Sequence, residues 1–461
     1  MSDIQSETDL VYVRDEMLSQ SPPPHRESGP VGWLRKNLFS SLSNTVLTLI
    51  ALYVIWIVVP PLIDFALVQA VWSGDSRDVC TTINQGGIQP NGWFGACWPY
   101  VKDYFAQFIY GRYPVEERWR VNIVFVLFVI GVVPLLVPTA PFKSINLIYM
   151  AVVFPVAALL LLTGGHMEFE SMIGIGRELA PLGSGLDFWI EYALLTLVVL
   201  GIAYAWARGT GAPAGGLLKL VLTMMLALAA VIFVLSLDLG LEFVPTSIWG
   251  GLLVTLVIAI TGIAASLPLG VVLALGRRSD MPIVRFACVV FIEFWRGVPL
   301  ITVLFMSSVM LPLFLPEGVS FDKLLRALIG VALFSAAYMA EVIRGGLQAI
   351  PKGQYEGADA VGLAYWQKMR LIILPQALTL VIPGIVNTFI GLFKDTTLVL
   401  IIGLFDFLGQ IQSSFTDPSW STPVQATTAY FFAACVYWIF CFSMSRYSIF
   451  TENRLRTGHA R

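Results

Sequence analysis

The sequence predicts an all-α polytopic membrane protein with about ten transmembrane helices. Hydrophobic residues make up 57% of the 461 residues and charged residues only 13%, whereas an ordinary soluble domain carries about 25% charged residues. The mean hydropathy is +0.78, and the apolar residues fall into stretches long enough to cross about 30 Å of hydrocarbon. Because the backbone finds no water inside a bilayer, such stretches form helices that satisfy their own hydrogen bonds.

Ten apolar stretches of this kind follow one another along the chain. They lie at roughly 45–64, 121–138, 145–163, 186–206, 218–236, 248–275, 284–314, 325–348, 376–403 and 425–445. The polar segment 1–44 before them is expected to form a cytoplasmic tail. Because five of the stretches precede residue 246, we expect an N-terminal extension at 45–245 and a second domain at 246–455.

Lysine and arginine residues between the stretches predict how the helices are oriented. Arg35 precedes the first stretch, Lys143 lies between the second and the third, and Arg446 follows the last. The connections 237–247 and 404–424 contain neither lysine nor arginine. Because cytoplasmic loops carry the excess of positive charge, both termini are expected in the cytoplasm.

The long segment 65–120 is expected to form an extracytoplasmic cap. It is polar and rich in turn-forming and aromatic residues, which indicates a small folded unit rather than a flexible tether. Cys80 and Cys97 both lie in it, on the side of the membrane where oxidation is permitted. We expect a disulfide between them, which would stabilise the cap by roughly 3 kcal/mol; two free thiols are the alternative.

Charged residues become frequent in the apolar stretches after residue 246. Glu293 and Arg296, and later Glu341 and Arg344, occur in the same pattern, E-x-x-R-G, which places each pair on one face of a helix. Glu341 and Arg344 lie near a helix end and are expected to form a structural ion pair. Glu293 and Arg296 lie further inside their stretch, where a structural pair and a transport pathway fit equally well. A helix break is expected at Gly297, because a proline follows two residues later.

The most specific pattern in the sequence is PKGQYEGADAVGLAYWQKMRLIILP, at 351–375. It is too polar to span a membrane, and it follows the eighth stretch on the predicted cytoplasmic side. Two short helices are expected, separated by a left-handed turn at Gly362, with Tyr365 and Trp366 projecting from the resulting elbow. Such an elbow is suited to docking a motor protein; an amphipathic element resting on lipid headgroups is the alternative.

This segment resembles the EAA loop of ABC importer permeases, whose pattern is E-A-A, three residues, Gly, nine residues and I-x-L-P. The residues at the corresponding positions, with every spacing the same, are Glu356, Gly357, Ala358, Gly362, Ile372, Leu374 and Pro375. Gly357 replaces the first alanine, which is expected to loosen the first short helix by roughly 1 kcal/mol. The resemblance covers 246–455, and with its long extension the chain resembles the larger permease subunit of broad-specificity L-amino-acid uptake systems in Gram-negative bacteria.

The resemblance implies a function, partners and a location. The chain would be a permease subunit of an amino-acid importer in the bacterial inner membrane, with a type I permease bundle at 246–455. A second permease subunit, two ATPase subunits at the elbow and a periplasmic amino-acid-binding protein would complete the assembly. The family implies a heterodimer or a homodimer of permeases, and a heterodimer is expected here. The residues implied to contact the ATPase are Glu356, Gly357, Ala358, Gly362, Tyr365, Trp366 and Pro375.

No cofactor is expected on this chain, since ATP and Mg²⁺ would bind the partner ATPase. The sequence agrees with this division, because it contains no Gly-Lys dipeptide and therefore no G-x-x-x-x-G-K-[ST] phosphate loop. An ion-gradient-driven secondary transporter would also lack that loop and would use helices broken by glycine and proline. This alternative stays open, although such a transporter does not require an elbow.

Lys394 and Asp395 stand side by side between two apolar runs. Adjacent residues of a helix point about 100° apart, so the pair does not neutralise itself and each charge needs another partner. A neighbouring cation and anion complement the carboxylate and ammonium groups of an amino acid, which predicts a substrate site; Lys394 would bind the carboxylate or a facing charge such as Glu293. A structural ion pair across a permease dimer interface is the alternative. The further residues assigned to this pathway are Asn387, Thr396, Thr397, Glu293 and Arg296.

The remaining composition argues against other classes of function. A net charge of -2 provides no basic surface for nucleic acid. His25, His166 and His459 are far apart in the sequence, so no metal site is expected. A purely structural or receptor-like membrane protein would leave the charges inside the membrane unexplained.

Overall fold

Helices form the fold in the computed structural model, which describes residues 29–165, 169, 186–210, 214–314 and 321–457. Within these residues the β-structure is limited to isolated bridges. The first 28 residues of the predicted tail, which include His25, lie outside the described residues, as do His166 and His459.

Eight α-helices precede residue 246 in the described part of the chain. They are α1 Gly29–Asn37, α2 Leu42–Ile63, α3 Trp98–Tyr110, α4 Arg118–Leu136, α5 Lys143–Ile148, α6 Phe154–Thr163, α7 Leu186–Thr210 and α8 Ala214–Ser236. Short 3-10 and π-helical turns extend some of them, so that α5 and α6 together form one helical span, Lys143–Thr163.

Ten α-helices follow in the described part of the second half. They are α9 Gly251–Arg277, α10 Pro282–Gly297, α11 Leu300–Phe305, α12 Lys323–Ala349, α13 Lys352–Ala360, α14 Tyr365–Lys368, α15 Leu374–Leu380, α16 Ile382–Asp395, α17 Phe407–Ser413 and α18 Gln425–Thr457. A 3-10 helix, Thr396–Ile402, continues α16. A π-helical turn, Met369–Ile373, joins α14 to α15.

The described residues contain nine helices that are long and apolar enough to cross a membrane, and a tenth span if α10 and its bent continuation count as one. Five of the nine precede residue 246. These numbers confirm the predicted all-α membrane fold with about ten spans.

The seventh predicted span is not one straight helix. Its two parts, Pro282–Gly297 and Leu300–Phe314, meet at 101°. Val298 is extended, with φ −108° and ψ 132°, and Pro299 follows with φ −61° and ψ 142°. Because proline lacks the N–H that would continue the ladder, the helix ends at Gly297, where the sequence predicted a break, and restarts at Leu300.

The ninth predicted span, 376–403, also begins later than expected. Helix α15 ends at Leu380, Val381 leaves the helical region with φ −107° and ψ 11°, and the span itself is Ile382–Ile402. Pro383 lies in the first turn of α16, where its missing N–H does not cost a hydrogen bond. The residues before the break therefore belong to the elbow rather than to the span.

One hydrophobic core joins the two halves of the chain. Phe154 of α6 and Val121 of α4 belong to the same buried cluster as Val254 and Ile258 of α9. Burial of apolar side chains is the main favourable term in folding. Helices α4 and α6 therefore pack on the second half as part of its core rather than as a separate bundle.

Other helices of the first half lie at the periphery. The most apolar parts of α2, α7 and α8 contain no residue that is buried within the chain. Tyr192 of α7 donates a 2.7 Å hydrogen bond to the carbonyl of Met225 in α8, which ties these two helices into a hairpin. The apolar surfaces of α2 and of the hairpin are thus left for lipid or for other subunits.

The predicted cap is a folded unit closed by a disulfide. Cys80 and Cys97 are bonded, with their Cα atoms 5.7 Å apart, which is the pairing that the sequence predicts. Both cysteines are buried. Helix α3 follows Cys97 directly and packs its buried side, which includes Tyr100 and Phe108, against Phe407 of α17.

Hydrogen bonds from several side chains attach the cap to the connection 404–424. Tyr100 shares a 2.5 Å hydrogen bond with Ser414. Tyr104 donates to the carboxylate of Asp417. Asp103 accepts a 2.7 Å hydrogen bond from the indole N–H of Trp420. The cap is therefore attached to the connection that precedes α18.

Two glycines meet where the cap adjoins α9. A Cβ atom added at Gly111 would lie 2.4 Å from the Cα atom of Gly250, which is closer than any Cβ contact tolerates. Gly111 also has φ +64°, a conformation that favours glycine. The end of α3 is thereby held against the first turn of α9.

Candidate functional site

The predicted elbow consists of two helical arms joined at Gly362. Helix α13 is the first arm, and α14 with its π-helical continuation is the second. Gly362 has φ +77°, its N–H bonds the carbonyl of Asp359 at 2.9 Å, and the N–H of Leu363 bonds the carbonyl of Ala358 at 3.2 Å. This pair of bonds is a Schellman motif, so the sharp turn expected at Gly362 is present.

Side-chain contacts hold the two arms at a fixed angle. Lys368 in the second arm forms a 2.5 Å ion pair with Asp359 in the first. Gln376 of α15 donates a 3.1 Å hydrogen bond to Gln354 of α13. Ile373, which is buried, belongs to a core cluster at the end of α9. The elbow is therefore a braced hairpin rather than a slack loop.

Most of the side chains predicted to contact an ATPase lie on the outside of the elbow. Trp366 is 70% and Tyr365 44% exposed, and their rings make an edge-to-face contact at 5.3 Å. Glu356, Gly357, Gly362 and Pro375 are exposed as well. Ala358 is 2% exposed, so it faces the core and supports the elbow without offering a docking surface.

Five charged side chains form a cluster at the end of α9 that adjoins the elbow. Glu341 lies 2.8 Å from Arg344 and 3.7 Å from Arg296, and Glu293 lies 4.0 Å from Arg296. Arg277 contacts both carboxylates, at 3.0 Å from Glu293 and 2.7 Å from Glu341. The two E-x-x-R pairs are thus parts of one network with three guanidinium groups and two carboxylates.

Sequence reasoning missed Arg277 as a member of this cluster. The pairs at i and i+3 follow from helix periodicity, but Arg277 meets Glu341 across 64 residues of sequence. One feature of the sequence could have indicated this contact. Arg277 ends an apolar helix, and Glu341 lies near the end of the eighth stretch that adjoins the elbow. Helices packed side by side bring such ends together.

Lys394 and Asp395 lie at the end of α16, away from this cluster. Lys394 is exposed and Asp395 is half-buried. Among the described residues neither forms an ion pair within 4.0 Å. Asn387, also exposed, lies seven residues before Lys394, and Gly391 lies between them, where an added Cβ would meet nothing within 4 Å. These three residues share one open face of the helix.

The sequence predicted Glu293 as one possible partner of Lys394. That contact is not present in the structure, where Glu293 pairs with Arg277 and Arg296 at the elbow end of α9 instead. Leu392, two residues before Lys394, instead packs at Gly262, in the middle of α9. The two charges are therefore separated along the direction of the helices.

The two threonines that follow Asp395 occupy different positions. Thr397 is half-buried, and its hydroxyl donates to the carbonyl of Lys394 at 2.9 Å. Thr396 is 1% exposed, and its hydroxyl donates to the carbonyl of Phe393 at 2.9 Å. Thr396 therefore supports the turn from within and does not line the open face.

A buried polar group lies behind this turn and was not predicted. Asp406, fully buried, caps α17 by accepting from the N–H of Gly409 at 2.9 Å, and Tyr437 of α18 donates to the same carboxylate at 3.3 Å. Thr255 of α9 accepts a 2.9 Å hydrogen bond from the N–H of Phe407. These bonds fix α17, which carries the cap contacts, to the helices of the core.

The described residues contain no cluster of three or more His, Cys, Asp or Glu side chains able to hold a metal ion. The chemistry that the two charged regions offer is ionic and hydrogen-bonding. Such groups bind zwitterionic or charged small molecules and hold helices in register.

Sequence relatives cover almost the whole chain. Residues 266–457 match the family described as binding-protein-dependent transport system inner membrane component. The chain is 44% identical over 444 residues to the inner membrane amino-acid ABC transporter permease protein YhdY of Escherichia coli, over 96% of this chain and 98% of that protein. It is 43% identical over 459 residues to the glutamate/glutamine/aspartate/asparagine transport system permease protein BztC of Rhodobacter capsulatus, over 98% of this chain and 100% of that protein. Among solved structures, a crystal structure of an amino acid ABC transporter with histidines is 28% identical over 44% of this chain and 92% of its own, with a TM-score of 0.39.

Proposed function

The chain belongs to the permeases of binding-protein-dependent ABC transporters, which are inner membrane components, and we propose that it forms the transmembrane pathway for L-amino-acid uptake. Both full-length relatives described above are named as amino-acid permeases. The chain itself is a permease subunit and not a catalyst. Its partners in this proposal are a second permease subunit, two ATPase subunits that bind ATP and Mg²⁺, and a periplasmic amino-acid-binding protein.

The single observation that carries the coupling part of the proposal is the braced elbow at 351–375. A surface that transmits force must not bend under load, and the Schellman turn at Gly362 and the ion pair between Lys368 and Asp359 meet that need. The exposed Tyr365 and Trp366 supply the large aromatic contacts that dominate protein interfaces. The ATPase is proposed to dock on this outer face.

The proposed topology follows from the ends of α9. The cap adjoins its first turn at Gly250, and the elbow adjoins its last residues through Tyr355. A helix of 27 residues is about 40 Å long, which exceeds the roughly 30 Å of the hydrocarbon core. Cap and elbow are therefore proposed to lie on opposite sides, with both termini and the elbow in the cytoplasm.

The proposed substrate pathway includes the open face of α16. A charge within the bilayer costs roughly 3 kcal/mol unless it faces water or a protein partner, and Lys394 is exposed on this chain. Lys394, Asp395, Asn387 and Thr397 would face an aqueous cavity shared with the second permease subunit. There Lys394 would bind the substrate carboxylate and Asp395 its ammonium group. The cluster that contains Glu293 and Arg296 would form the elbow end of the same pathway.

The proposal is tested with the complete transporter reconstituted in lipid vesicles. Asp395→Asn should lower ATP-dependent uptake at least tenfold for every amino acid tested, while the amount of assembled complex and its basal ATP hydrolysis stay within twofold of the unmodified protein. Lys219→Gln is the matched control, since it removes an exposed lysine from the peripheral helix α8 and should leave uptake unchanged.

Three results would contradict the proposal. Loss of the assembled complex in Asp395→Asn would identify the pair as a structural contact between subunits. Uptake that continues without ATP and stops when the ion gradient is collapsed would favour a secondary transporter. A chain that purifies from mild detergent without any ATPase would exclude the ABC assembly.

A further inference from the structure

Two neighbouring arginines at the end of α9 reach in different directions. Arg277 is the last residue of the helix, and Arg278 is its C-cap. Adjacent residues of a helix point about 100° apart. The two guanidinium groups accordingly contact two different sets of partners, one in the charged cluster and one on the elbow.

Arg277 closes the charged cluster. Its Nη1 atom lies 3.0 Å from the carboxylate of Glu293 in α10 and 2.7 Å from that of Glu341 in α12. A single guanidinium group therefore joins three helices. Its side chain is 24% exposed and that of Glu341 is 15% exposed, and partial burial strengthens such pairs because less water screens them.

Arg278 reaches the elbow. Its Nη1 atom donates to the carbonyl oxygen of Leu347 and to the hydroxyl oxygen of Tyr355, both at 3.1 Å. The Tyr355 hydroxyl itself donates to the carbonyl of Leu347 at 3.2 Å, and the guanidinium lies 5.6 Å from the centre of the Tyr355 ring, within range of a cation–π contact. Leu347 lies in the last turn of α12, and Tyr355 lies in the first elbow arm, next to Glu356.

We propose that Arg277 and Arg278 together are positioning residues that transmit movement of the elbow to the charged cluster. The proposal rests on the proposed function, because it assumes that an ATPase moves the elbow. A displacement of Tyr355 pulls on Arg278, and the peptide bond that Arg278 shares with Arg277 passes the displacement on. Arg277 then changes the distance between Glu293 and Glu341, and so between α10 and α12.

Arginine suits this role for two physical reasons. Its guanidinium group stays charged at all physiological pH values, so the contacts persist throughout a transport cycle. Its guanidinium group is planar, so the directions of its N–H bonds to the acceptors are fixed. Lysine would keep the charge and has enough donors, but its ammonium group on a flexible stem would not fix those directions.

The test measures how many amino acids are imported per ATP hydrolysed by the complete transporter in lipid vesicles. Arg278→Gln removes the charge from the elbow contact, and Tyr355→Phe removes only the hydroxyl group. Both variants should assemble with the ATPase in normal amounts, yet the ratio should fall about tenfold for Arg278→Gln and about threefold for Tyr355→Phe. Arg278→Lys should recover part of the loss.

Arg285→Gln is the matched control. Arg285 lies on α10 near the same end, is exposed, and forms no ion pair among the described residues. Its replacement should leave the ratio unchanged. A ratio that stays normal in Arg278→Gln, or that falls equally in Arg285→Gln, would overturn the proposal.

A double variant separates transmission from two independent roles. If the arginines act in series, Arg277→Gln with Arg278→Gln should lower the ratio no further than the more damaging single variant. If the two reductions multiply instead, each arginine acts alone and the proposal is wrong. Failure of the proposed function would be recognised by a different result: the unmodified complex itself would show no amino-acid uptake driven by ATP.

Discussion

The carboxylate of Asp103 accepts a 2.7 Å hydrogen bond from the indole N–H of Trp420, although 317 residues of sequence separate the two. Asp103 belongs to the disulfide-closed cap and Trp420 to the connection before the last helix. The cap is encoded in the N-terminal half but is attached to the C-terminal half. Its contribution to stability is therefore measurable through residues far from it in the sequence.

Replacing Trp420 with Phe should loosen the cap. The change removes the N–H donor while keeping an aromatic ring, and a hydrogen bond to a charged group is worth about 1.5–3 kcal/mol. Cys80 and Cys97 are 1% and 0% exposed, so a reductant reaches them only when the cap opens. The rate of disulfide reduction by a phosphine should rise at least tenfold. Trp56→Phe, at an exposed position on α2, should leave the rate unchanged, and an equal rise there would contradict the role of Trp420.

A side chain at Gly111 should destabilise the chain far more than one at Gly92. Both glycines have positive φ, +64° and +88°, so alanine strains the backbone by about 1–2 kcal/mol at either position. Only at Gly111 would the new Cβ also collide with Gly250, at 2.4 Å. We expect Gly111→Ala to lower the melting temperature in detergent markedly and Gly92→Ala to lower it by a few degrees. Equal shifts would mean that the end of α3 moves away from α9 without cost.

Two glycines in the elbow should respond to alanine with opposite signs. An added Cβ meets nothing within 4 Å at Gly357 or at Gly362, so only backbone preference matters. Gly357 lies within helix α13, so alanine there should stabilise the helix by about 1 kcal/mol. Gly362 has φ +77°, so alanine there should destabilise the turn by about 1–2 kcal/mol. Amide hydrogen exchange across 352–362 should slow in the first variant and accelerate in the second. Changes of the same sign would refute the Schellman turn.

Single cysteines should confirm that cap and elbow face opposite compartments. The unpaired cysteines Cys288, Cys435 and Cys441 are first replaced, and the reporters are Asn84→Cys in the cap and Lys352→Cys in the elbow, both at exposed positions. An impermeant thiol reagent added outside spheroplasts should label only Asn84→Cys, and inverted vesicles should give the reverse. Labelling of both from one side would rule out the proposed topology.

Attachment of the cap should be constant between about pH 5 and pH 9 and weaken outside that window. Hydrogen bonds from Ser419 and Tyr104 hold the pKa of Asp417 below its usual 3.8, so the folded protein favours the ionised carboxylate. The stability that this carboxylate adds to the attached cap is therefore lost as the pH falls below about 4. Burial raises the pKa of Tyr100 from 10.0 to about 12, so its neutral form is favoured and the contribution is lost as the pH rises above 10. Disulfide reduction should accelerate at both ends. Asp417→Asn should abolish only the acceleration at low pH. A reduction rate that does not change with pH in the unmodified protein would contradict the roles given to both Asp417 and Tyr100.

Local patterns in the sequence predicted local structure well. The spacing of Glu341 and Arg344 along one helix predicted their contact, the glycine at 362 predicted a left-handed turn, and the Gly297 break was visible from the proline that follows. Each of these depends on neighbours within a few residues. Backbone geometry alone is sufficient to position them.

Contacts between distant segments were not predictable in the same way. The link from Arg277 to Glu341 and the attachment of the cap to 404–424 require knowledge of which helices are neighbours. The burial of Thr396 had a different cause, since α16 changes there from α-helix to 3-10 helix. The 3-10 helix turns 120° per residue instead of 100°, so side chains after Asp395 leave the face that α-helical periodicity assigns to them.

The separation between the cap and its attachment surface has a consequence for synthesis. A ribosome adds about 5–20 residues per second, so roughly 15–65 s pass between translation of Asp103 and translation of Trp420. During that interval Tyr100, Tyr104 and Phe108 lack the side chains of 404–424 that cover them in the finished fold, and the cap must remain folded on its own. The Cys80–Cys97 bond closes entirely within the early segment, and so it stabilises the newly made cap before the rest of its binding surface exists.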